Sequence, residues 1–249
     1  MENERTLLFV FAHPDDESFL VAGVAGKYHP RGVRLILVTA TDGTAGKRGD
    51  PPICTQEELA AVRAEELRAA AAILGIHHAE SLGYKDKELA AAPHQRIREQ
   101  LVGVIRSFRP DIAISFDPNG TNLHNDHIAI SRYASDALAA AADPRWFPAA
   151  GEPHQVRRLL WTPPLPVWEA ARVSNLATEP GIDFAIDIRP WRQQKSTALR
   201  AHRSQHISID RVFFSQPDVE RLLSVETFRQ AWGPPLARRP CPDLFEGME

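Results

Sequence analysis

The chain has 249 residues, of which 43% are apolar and 24% are charged. This length and composition exclude a short peptide, a disordered tail and a fibre, and they suit one large globular domain or two small ones. With 29 basic and 32 acidic residues the net charge is −3, so bulk electrostatics do not draw the protein to a polyanion, and nucleic acid is not an expected partner.

The chain carries no signal for a membrane or for export. Its longest nearly uncharged stretches, residues 69–76 and 137–142, are far shorter than the roughly 20 residues that a bilayer-crossing helix needs. No integral membrane segment is expected, and without the features of an export signal at the N-terminus a cytoplasmic location is predicted. Only Cys54 and Cys241 are present, with no spacing typical of disulfides or thiolate zinc sites, so a bound metal would need His and carboxylate ligands.

Short β-rich runs alternate with longer helical patterns over the first 140 residues, which is typical of strand–helix–strand units around a parallel sheet. The continuous apolar run at residues 6–11 predicts a central strand covered on both faces. In chain order the pattern then predicts a helix at 19–28, a strand at 33–39, a loop at 41–52, a helix at 57–74, a strand at 78–82, a helix at 95–108, a strand at 111–116 and a helix from about 125. An α/β fold is therefore expected.

The second half of the chain is less regular. Residues 143–180 hold seven of the twenty prolines, which predicts an irregular surface region broken by a short strand at 159–162. A strand at 184–188 and a terminal helix at 219–232 are expected to follow. The whole chain, residues 1–249, is predicted to form a single domain with the irregular region as an insertion that contacts substrate.

Two short segments concentrate ionisable residues where apolar strands are predicted to end. The first is His-Pro-Asp-Asp-Glu at residues 13–17 and the second is His-Asn-Asp-His at residues 124–127. Proline and acidic residues are ordinary at helix starts, but that chemistry leaves the histidines unexplained, since a helix N-terminus disfavours imidazolium. Because ligands bind at the carboxyl ends of strands in open α/β sheets, the two segments are expected to share one crevice.

Metal binding explains these residue types best. Two neutral imidazoles and one carboxylate form the three-ligand set of hydrolytic zinc enzymes, which keep a fourth position open to water. His13, Asp16 and His127 are the predicted ligands. Zinc is the expected ion, with iron(II) or cobalt as alternatives for the same ligands.

The remaining polar residues of the two segments are predicted to be catalytic. Asp15 lies between two ligands and is the expected general base toward the activated water. His124 is expected to stabilise the oxyanion or to protonate the leaving nitrogen. Asp126 is expected to orient His124 through a hydrogen bond.

Ala-His-Pro-Asp-Asp-Glu at residues 12–17, together with His-x-Asp-His at 124–127, resembles the LmbE/PIG-L family of zinc-dependent N-deacetylases. Members deacetylate N-acetylglucosaminyl-phosphatidylinositol, the N-acetylglucosaminyl precursors of mycothiol and bacillithiol, and chito-oligosaccharides. The resemblance implies a Rossmann-like three-layer α/β/α sandwich with a mostly parallel central sheet. It also implies zinc at the positions of His13, Asp16 and His127, Asp15 as base, and His124 as the charged acid that stabilises the oxyanion.

Further matches extend the resemblance along the chain. Residues 63–67 are similar to a family helix whose arginine, here Arg63, meets the substrate, and residues 82–86 to a loop whose aspartate, here Asp86, binds sugar hydroxyls. Residues 41–46 resemble a glycine-bearing loop. Segments 195–198 and 202–205 resemble the Lys-x-x-Ala and His-x-Ser-Gln elements, to which no catalytic role is assigned.

Three residues depart from the family pattern. Leu123 and Asn125 stand where many members have Gly and Pro, and Asn122 stands where some have a tyrosine. Any role of that tyrosine therefore does not transfer to this chain, and the loop that carries His124 is expected to differ in conformation.

The leading hypothesis is a metal-dependent hydrolase that removes an N-acetyl group from an N-acetylglucosamine-type conjugate and releases acetate. A small amino-sugar substrate and a homo-oligomer are expected, and Trp146, Trp161 and Trp168 are candidates for stacking on a sugar ring.

One alternative is hydrolysis of another amide, as by a thiol-conjugate amidase. Another is a mononuclear iron(II) oxygenase, which the spare base Asp15 disfavours. A nucleotide-binding module is disfavoured because carboxylates replace the glycine-rich phosphate loop.

Overall fold

The computed structural model describes residues 5–163 and 167–248. Seven strands form one sheet in the order β3-β2-β1-β4-β5-β7-β6. The strands are β1 (Thr6–Phe11), β2 (Arg34–Thr41), β3 (His78–Tyr84), β4 (Ile112–Phe116), β5 (Arg158–Thr162), β6 (Phe184–Asp187) and β7 (Val225–Trp232). Strands β1 to β5 pair with one another in parallel, whereas β7 runs antiparallel to both β5 and β6.

Helices flank this sheet in two groups. They are α1 (Asp16–Leu20), α2 (Ala22–Tyr28), α3 (Leu59–Leu74), α4 (His94–Phe108), α5 (Gly120–Leu123), α6 (Asn125–Ala141), α7 (Val167–Ala170), α8 (Arg192–Ala201), α9 (His206–Ile209) and α10 (Val219–Leu222). Helices α2 and α3 pack on α8, and α4 packs on α6. The expected Rossmann-like three-layer arrangement with a mostly parallel sheet is confirmed.

The central strand β1 explains why the sheet is so well buried. All six of its residues are buried, because β2 and β4 pair with its two edges and helices cover its faces. Strand β4 is likewise buried throughout. Continuous apolar runs of this kind suit a parallel strand with no solvent-facing side. Because β1 and β4 pair in parallel, their carboxyl ends meet at one edge of the sheet.

Two expectations differ from the structure. The expected helix at 19–28 is interrupted at Val21, whose φ of −136° separates α1 from α2. The expected helix at 219–232 is wrong: only α10 is helical, and β7 follows it. Val225, Thr227 and Phe228 prefer a strand, because branched and aromatic side chains lose rotamer freedom in a helix and pack well on a sheet. Pairing with β5 and β6 on both edges decides the outcome.

The proline-rich stretch agrees with its prediction. Among its described residues, 143–163 and 167–180, the short strand expected at 159–162 is present as β5, which joins the sheet beside β4, and the rest forms short helical turns and irregular segments. In the part of the chain that the structure describes, no helix is both long enough and apolar enough to span a bilayer.

Candidate metal centre and active site

A cavity of about 440 Å³ opens where β1 and β4 end. Side chains from both predicted segments line it: His13, Asp15, Asp16, His124 and His127. Arg63 and Asp86 line it as well, so seven of the eight predicted site residues meet in one cavity. The eighth, Asp126, is fully buried and lies behind His13. The expected convergence of two segments separated by about 110 residues follows from the β1–β4 pairing.

The turn after β1 holds Asp16 in a fixed orientation. Asp16 Oδ2 accepts hydrogen bonds from the backbone N–H of Ala12 at 3.1 Å and of His13 at 2.8 Å. Asp15 has a φ of 131°, a backbone region that residues with a side chain rarely occupy. Strain of this kind, on the order of 1–3 kcal/mol, persists only where surrounding contacts impose it, and it is common at functional sites.

The orientation of His127 is fixed by its other nitrogen. His127 Nδ1 lies 3.1 Å from the carbonyl oxygen of Gly120, and its ring stacks on Phe116 with 3.9 Å between centroids. Since a carbonyl only accepts, Nδ1 carries the proton and Nε2 presents its lone pair to the cavity. Burial and the neighbouring charge of His13 lower the pKa of His127 to about 3. The ring is therefore neutral, as a metal ligand must be.

The donor atoms of the predicted ligands are spaced as around one small cation. His13 Nδ1 lies 3.1 Å from His127 Nε2 and 3.7 Å from Asp16 Oδ2, and His127 Nε2 lies 3.5 Å from Asp16 Oδ1. Tetrahedral zinc with bonds of 2.0–2.1 Å requires about 3.3 Å between its ligand atoms. The two imidazole nitrogens are near this spacing, and Asp16 approaches each of them with a different carboxylate oxygen at a slightly longer distance. Two imidazoles and one carboxylate are also the ligand chemistry that zinc takes.

The charge around His13 also suits a cation. Its Nε2 lies 3.2 Å from Asp86 Oδ1 and 3.3 Å from Asp126 Oδ2, and Asp16 faces its Nδ1. Burial opposes a charge on the ring, but these carboxylates outweigh burial and raise the pKa of His13 to about 10. These buried carboxylates stabilise a positive charge at His13, and a bound cation would take the place of the proton on its Nδ1.

Two other donor sets overlap the predicted one. Donor atoms of His13, His124 and His127 lie within 4.8 Å of one another, and so do those of His13, Asp86 and Asp126. The second set uses the nitrogen of His13 that faces away from His127. We favour the set with Asp16, because its carboxylate is already fixed by the backbone of the turn and His127 Nε2 presents its lone pair to the cavity.

Asp15 lies beside this donor set and is paired with Arg63. Arg63 Nη2 is 3.2 Å from Asp15 Oδ2 and also donates to the carbonyl of Pro14, while Nη1 donates to the carbonyl of Gly43 at 2.9 Å. Burial raises the pKa of Asp15 to about 6, although the Arg63 charge opposes the rise. A carboxylate with a pKa near neutrality suits proton transfer at neutral pH.

Arg63 is more enclosed than a purely substrate-binding side chain would be. It is only 3% exposed, since the carbonyls of Pro14 and Gly43 and the carboxylate of Asp15 surround it. A side chain at position 43 would overlap the guanidinium, and Gly43 also has a φ of 67°. The glycine of this loop is therefore required both for its backbone and for the close approach of Arg63.

The hydrogen bond expected between Asp126 and His124 comes from the backbone of Asp126, whereas its carboxylate has other partners. Asp126 Oδ2 lies near His13 Nε2 and accepts from the backbone N–H of Lys87 at 2.6 Å, while Oδ1 accepts from that of Leu89 at 3.2 Å. Only the backbone N–H of Asp126 reaches His124, donating to Nδ1 at 3.2 Å. As the first turn of α6 points the carboxylate into the protein, Asp126 orients His13 instead.

Of the residues predicted to contact the sugar, Asp86 and one of the three tryptophans line the cavity. Asp86 lines the cavity as expected, but it also contacts His13 and accepts from the backbone N–H of Ala45 at 3.1 Å. Trp168 lines the cavity, whereas Trp146 and Trp161 do not. Trp146 packs instead under the guanidinium of Arg98, 4.5 Å from the ring centroid.

Two buried residues behind the site were missed by sequence reasoning. Glu17 and His202 form a contact at 2.7 Å. Glu17 belongs to the first segment, but it was interpreted only as one of the acidic residues that are common at helix starts. His202 belongs to the His-x-Ser-Gln element at residues 202–205, to which no catalytic role was assigned. Its position in that element was the sequence feature that could have identified it.

The loop that carries His124 has an unusual backbone. Thr121 and Leu123 have φ values of 60° and 64°, and Leu123 is 73% exposed. Leucine in this left-handed region is strained by roughly 1–2 kcal/mol. A glycine at this position would adopt the same backbone without that strain, because it has no side chain to clash.

We expect Leu123→Gly to stabilise the protein by about 0.5–1 kcal/mol, because relief of the strain exceeds the roughly 0.4–1 kcal/mol entropic cost of glycine. Thermal unfolding should show a rise in Tm of about 1–4 °C. Leu123→Ala is the matched control, since it removes the exposed side chain but keeps the β-carbon. An equal rise in both variants would assign the effect to the exposed leucine rather than to the backbone.

Comparison with known proteins supports the resemblance to the LmbE/PIG-L family. The family model described as GlcNAc-PI de-N-acetylase (PIG-L) matches residues 8–138. A 1D-myo-inositol 2-acetamido-2-deoxy-alpha-D-glucopyranoside deacetylase of Streptomyces avermitilis is 30% identical over 289 residues, covering 98% of this chain and 98% of the relative. A probable N-acetyl-alpha-D-glucosaminyl L-malate deacetylase 2 of Bacillus anthracis is 41% identical over 140 residues, 56% of this chain and 62% of the relative.

The fold recurs in a solved structure. N,N'-diacetylchitobiose deacetylase from Pyrococcus horikoshii has a TM-score of 0.71, with 22% identity over 92% of this chain and 84% of that chain. At this identity the likeness shows a shared fold. The family match spans both segments that build the cavity and confirms the resemblance. Since the match covers 131 of 249 residues, the chain belongs to the PIG-L family.

Proposed function

We propose that this protein is a metal-dependent N-deacetylase that removes the acetyl group from an N-acetylglucosamine-type conjugate and releases acetate. The observation that carries the proposal is the meeting of the His13, Asp16 and His127 donor atoms beside Asp15. Hydrolysis needs such a set of ligands and a free base, and the relatives are named as deacetylases of amino-sugar conjugates.

We assign the metal ligands to His13 Nδ1, the Asp16 carboxylate and His127 Nε2, with zinc as the ion. When bound, zinc would supply a Lewis acid that polarises the acetyl carbonyl and makes water more acidic. Asp126 and Asp86 hold the other nitrogen of His13, while the carbonyl of Gly120 holds that of His127. Such outer contacts fix the ring orientations and increase the basicity of the ligands.

The protein's own groups would move the protons. The Asp15 carboxylate would accept a proton from the attacking water, and Arg63 would keep that carboxylate in place. His124 flanks the donor set, with its ring 4.8 Å from that of His13 and 4.9 Å from that of His127. Its imidazole would stabilise the oxyanion that develops on the acetyl group and would protonate the leaving amine.

The acceptor attached to the sugar would contact the outer wall of the cavity. Trp168, Ser208, Arg211 and Val212 form part of that wall, and they lie outside the family match at residues 8–138. Trp168 is the aromatic candidate for sugar stacking. Asp86 would contact sugar hydroxyls, and Arg63 would contact the substrate. We further propose that residues 1–249 act as a single domain, and a homo-oligomer stays a prediction.

The direct test is metal analysis of the purified protein together with acetate release from N-acetylglucosamine conjugates of inositol and malate. We expect one metal ion per chain and acetate in equal amount to free amine. Activity with zinc under anaerobic conditions would exclude the oxygenase alternative. Full metal occupancy without acetate release from any amino-sugar amide would contradict the proposal.

We expect His124→Ala to retain its metal and to lose roughly 10²- to 10³-fold in kcat, the effect of removing one group that stabilises an oxyanion. The ring contacts of His124 are edge or tilted packing, so its loss leaves the three donor atoms in place. Metal content and initial rates measure the two effects separately. Wild-type kcat in this variant would remove His124 from the mechanism.

A further inference from the structure

Glu17 and His202 form a buried contact directly behind the turn that carries Asp15. Both side chains have no exposed surface, and His202 Nε2 lies 2.7 Å from Glu17 Oε1. Ser18 Oγ donates to the same carboxylate oxygen at 2.6 Å. Within residues 5–163 and 167–248, the hydrogen bonds of the His202 ring all pass through Nε2.

The second oxygen of Glu17 holds the backbone of Asp15. The Asp15 N–H donates to Glu17 Oε2 at 3.1 Å, while the Asp15 carbonyl accepts from the first turn of α1, from Ser18 at 2.9 Å and Phe19 at 3.1 Å. A φ of 131° is unfavourable for aspartate, so contacts on both sides of the residue are needed to hold it. Rotation of Glu17 would release one of these two sides.

We propose that His202 is a positioning residue, which acts through Glu17 to fix the Asp15 backbone and with it the Asp15 carboxylate beside the donor set. The effect on the rate rests on the proposed deacetylase function. The contact chain from His202 through Glu17 to the Asp15 backbone does not depend on that function. No proton leaves His202 in the reaction; its part is to keep Glu17 in one rotamer.

The segment of His202 holds other parts of the site in the same way. The backbone N–H and Oγ of Ser204 donate to Glu66 on α3 at 2.7 and 2.6 Å. Gln205 Oε1 accepts from the backbone N–H of Lys47 at 3.2 Å, and Nε2 donates to the Lys47 carbonyl at 2.7 Å. Residues 202–205 thus contact the turn after β1, the helix of Arg63 and the loop after β2. This gives the matched His-x-Ser-Gln element a physical role.

The kinetic test compares His202→Asn with His202→Gln, each also in an Asp15→Asn background. Glutamine places an N–H donor near the position of Nε2, whereas asparagine does not reach Glu17. We expect His202→Asn to lower kcat about 10- to 100-fold, the effect of a small misplacement of a catalytic group, with KM and metal content unchanged. His202→Gln should restore most of the rate. With asparagine at position 15, His202→Asn should cost less than about threefold.

His154→Asn is the matched control. His154 is half-buried and contacts the carbonyl of Pro110 at 2.8 Å, so its replacement also removes a hydrogen bond but should leave kcat unchanged. A normal kcat in His202→Asn, or an equal loss in the Asp15→Asn background, overturns the proposal. If His202→Asn does not fold, Glu17→Gln tests the same link, because its amide would face the Nε2 donor.

The exchange rate of the Asp15 amide hydrogen tests this contact chain independently of enzymatic activity. In the metal-loaded protein, the Asp15 N–H should exchange at least tenfold faster in His202→Asn than in the wild type and in His154→Asn. Unchanged exchange at Asp15 overturns the link. Absence of deacetylation by the wild type would instead contradict the proposed function, and the exchange measurement would still decide the role of His202.

Discussion

Asp15→Asn should lower turnover by roughly 10²- to 10⁴-fold while the protein keeps one metal ion per chain. Asparagine has nearly the shape of aspartate and retains an oxygen toward Arg63, but its amide does not accept a proton from water. The three donor atoms belong to other residues, so the metal should remain bound. Acetate release and metal content, measured on the same preparation, check both parts of this expectation.

Asp16→Asn is the matched control for this substitution, one residue along the chain. It removes a carboxylate from the donor set, so we expect metal loss together with activity loss. If Asp15→Asn loses the metal and Asp16→Asn keeps it, the roles of the two aspartates are exchanged. If both variants keep the metal and the full rate, neither residue belongs to the reaction.

His13→Ala should abolish stoichiometric metal binding and with it the activity. In the proposed site its imidazole would provide one donor atom, and it is also the point where Asp16, Asp86 and Asp126 converge. Removing an outer contact to a ligand usually lowers metal affinity by about 10- to 100-fold, and removing the ligand itself should cost more. Titration of the metal-free protein with zinc measures this loss.

The control is His94→Ala, at an exposed histidine that contacts Asp136 on α6. It should bind one metal ion with wild-type affinity. Wild-type metal affinity in His13→Ala would contradict the assigned ligand set and would favour a set centred on His124 and His127. Removal of the metal by a chelator should inactivate the wild type, and zinc should restore its activity.

Local patterns predicted most of the sheet because buried parallel strands have a strong signal. Strand β1 was predicted at its observed bounds, and β4 to within one residue, since both are predominantly apolar runs that are followed by polar segments. Strand β7 was missed. Its residues alternate weakly, and its pairing partners β5 and β6 are distant in the chain, so the sheet rather than the local sequence decides its structure.

The ligand types were also present in the sequence. Histidine and aspartate at the ends of two apolar strands sufficed to predict the donor set at His13, Asp16 and His127, because strand ends are where α/β sheets bind ligands. The sequence did not determine which aspartate carboxylate contacts which histidine ring. Asp126 precedes His127 directly and was assigned to His124, yet the geometry of α6 turns its carboxylate toward His13.

The sequence by itself determined the chemistry that this protein carries: the two segments, their residue types and their places after buried strands. Only the tertiary structure decided how that chemistry is held. His202 and Glu17 are 185 residues apart and meet because α8 packs against the helices that follow β1. Periodicity and propensity are properties of neighbours along the chain, whereas contacts of this length arise from the packing of whole elements, which no local pattern encodes.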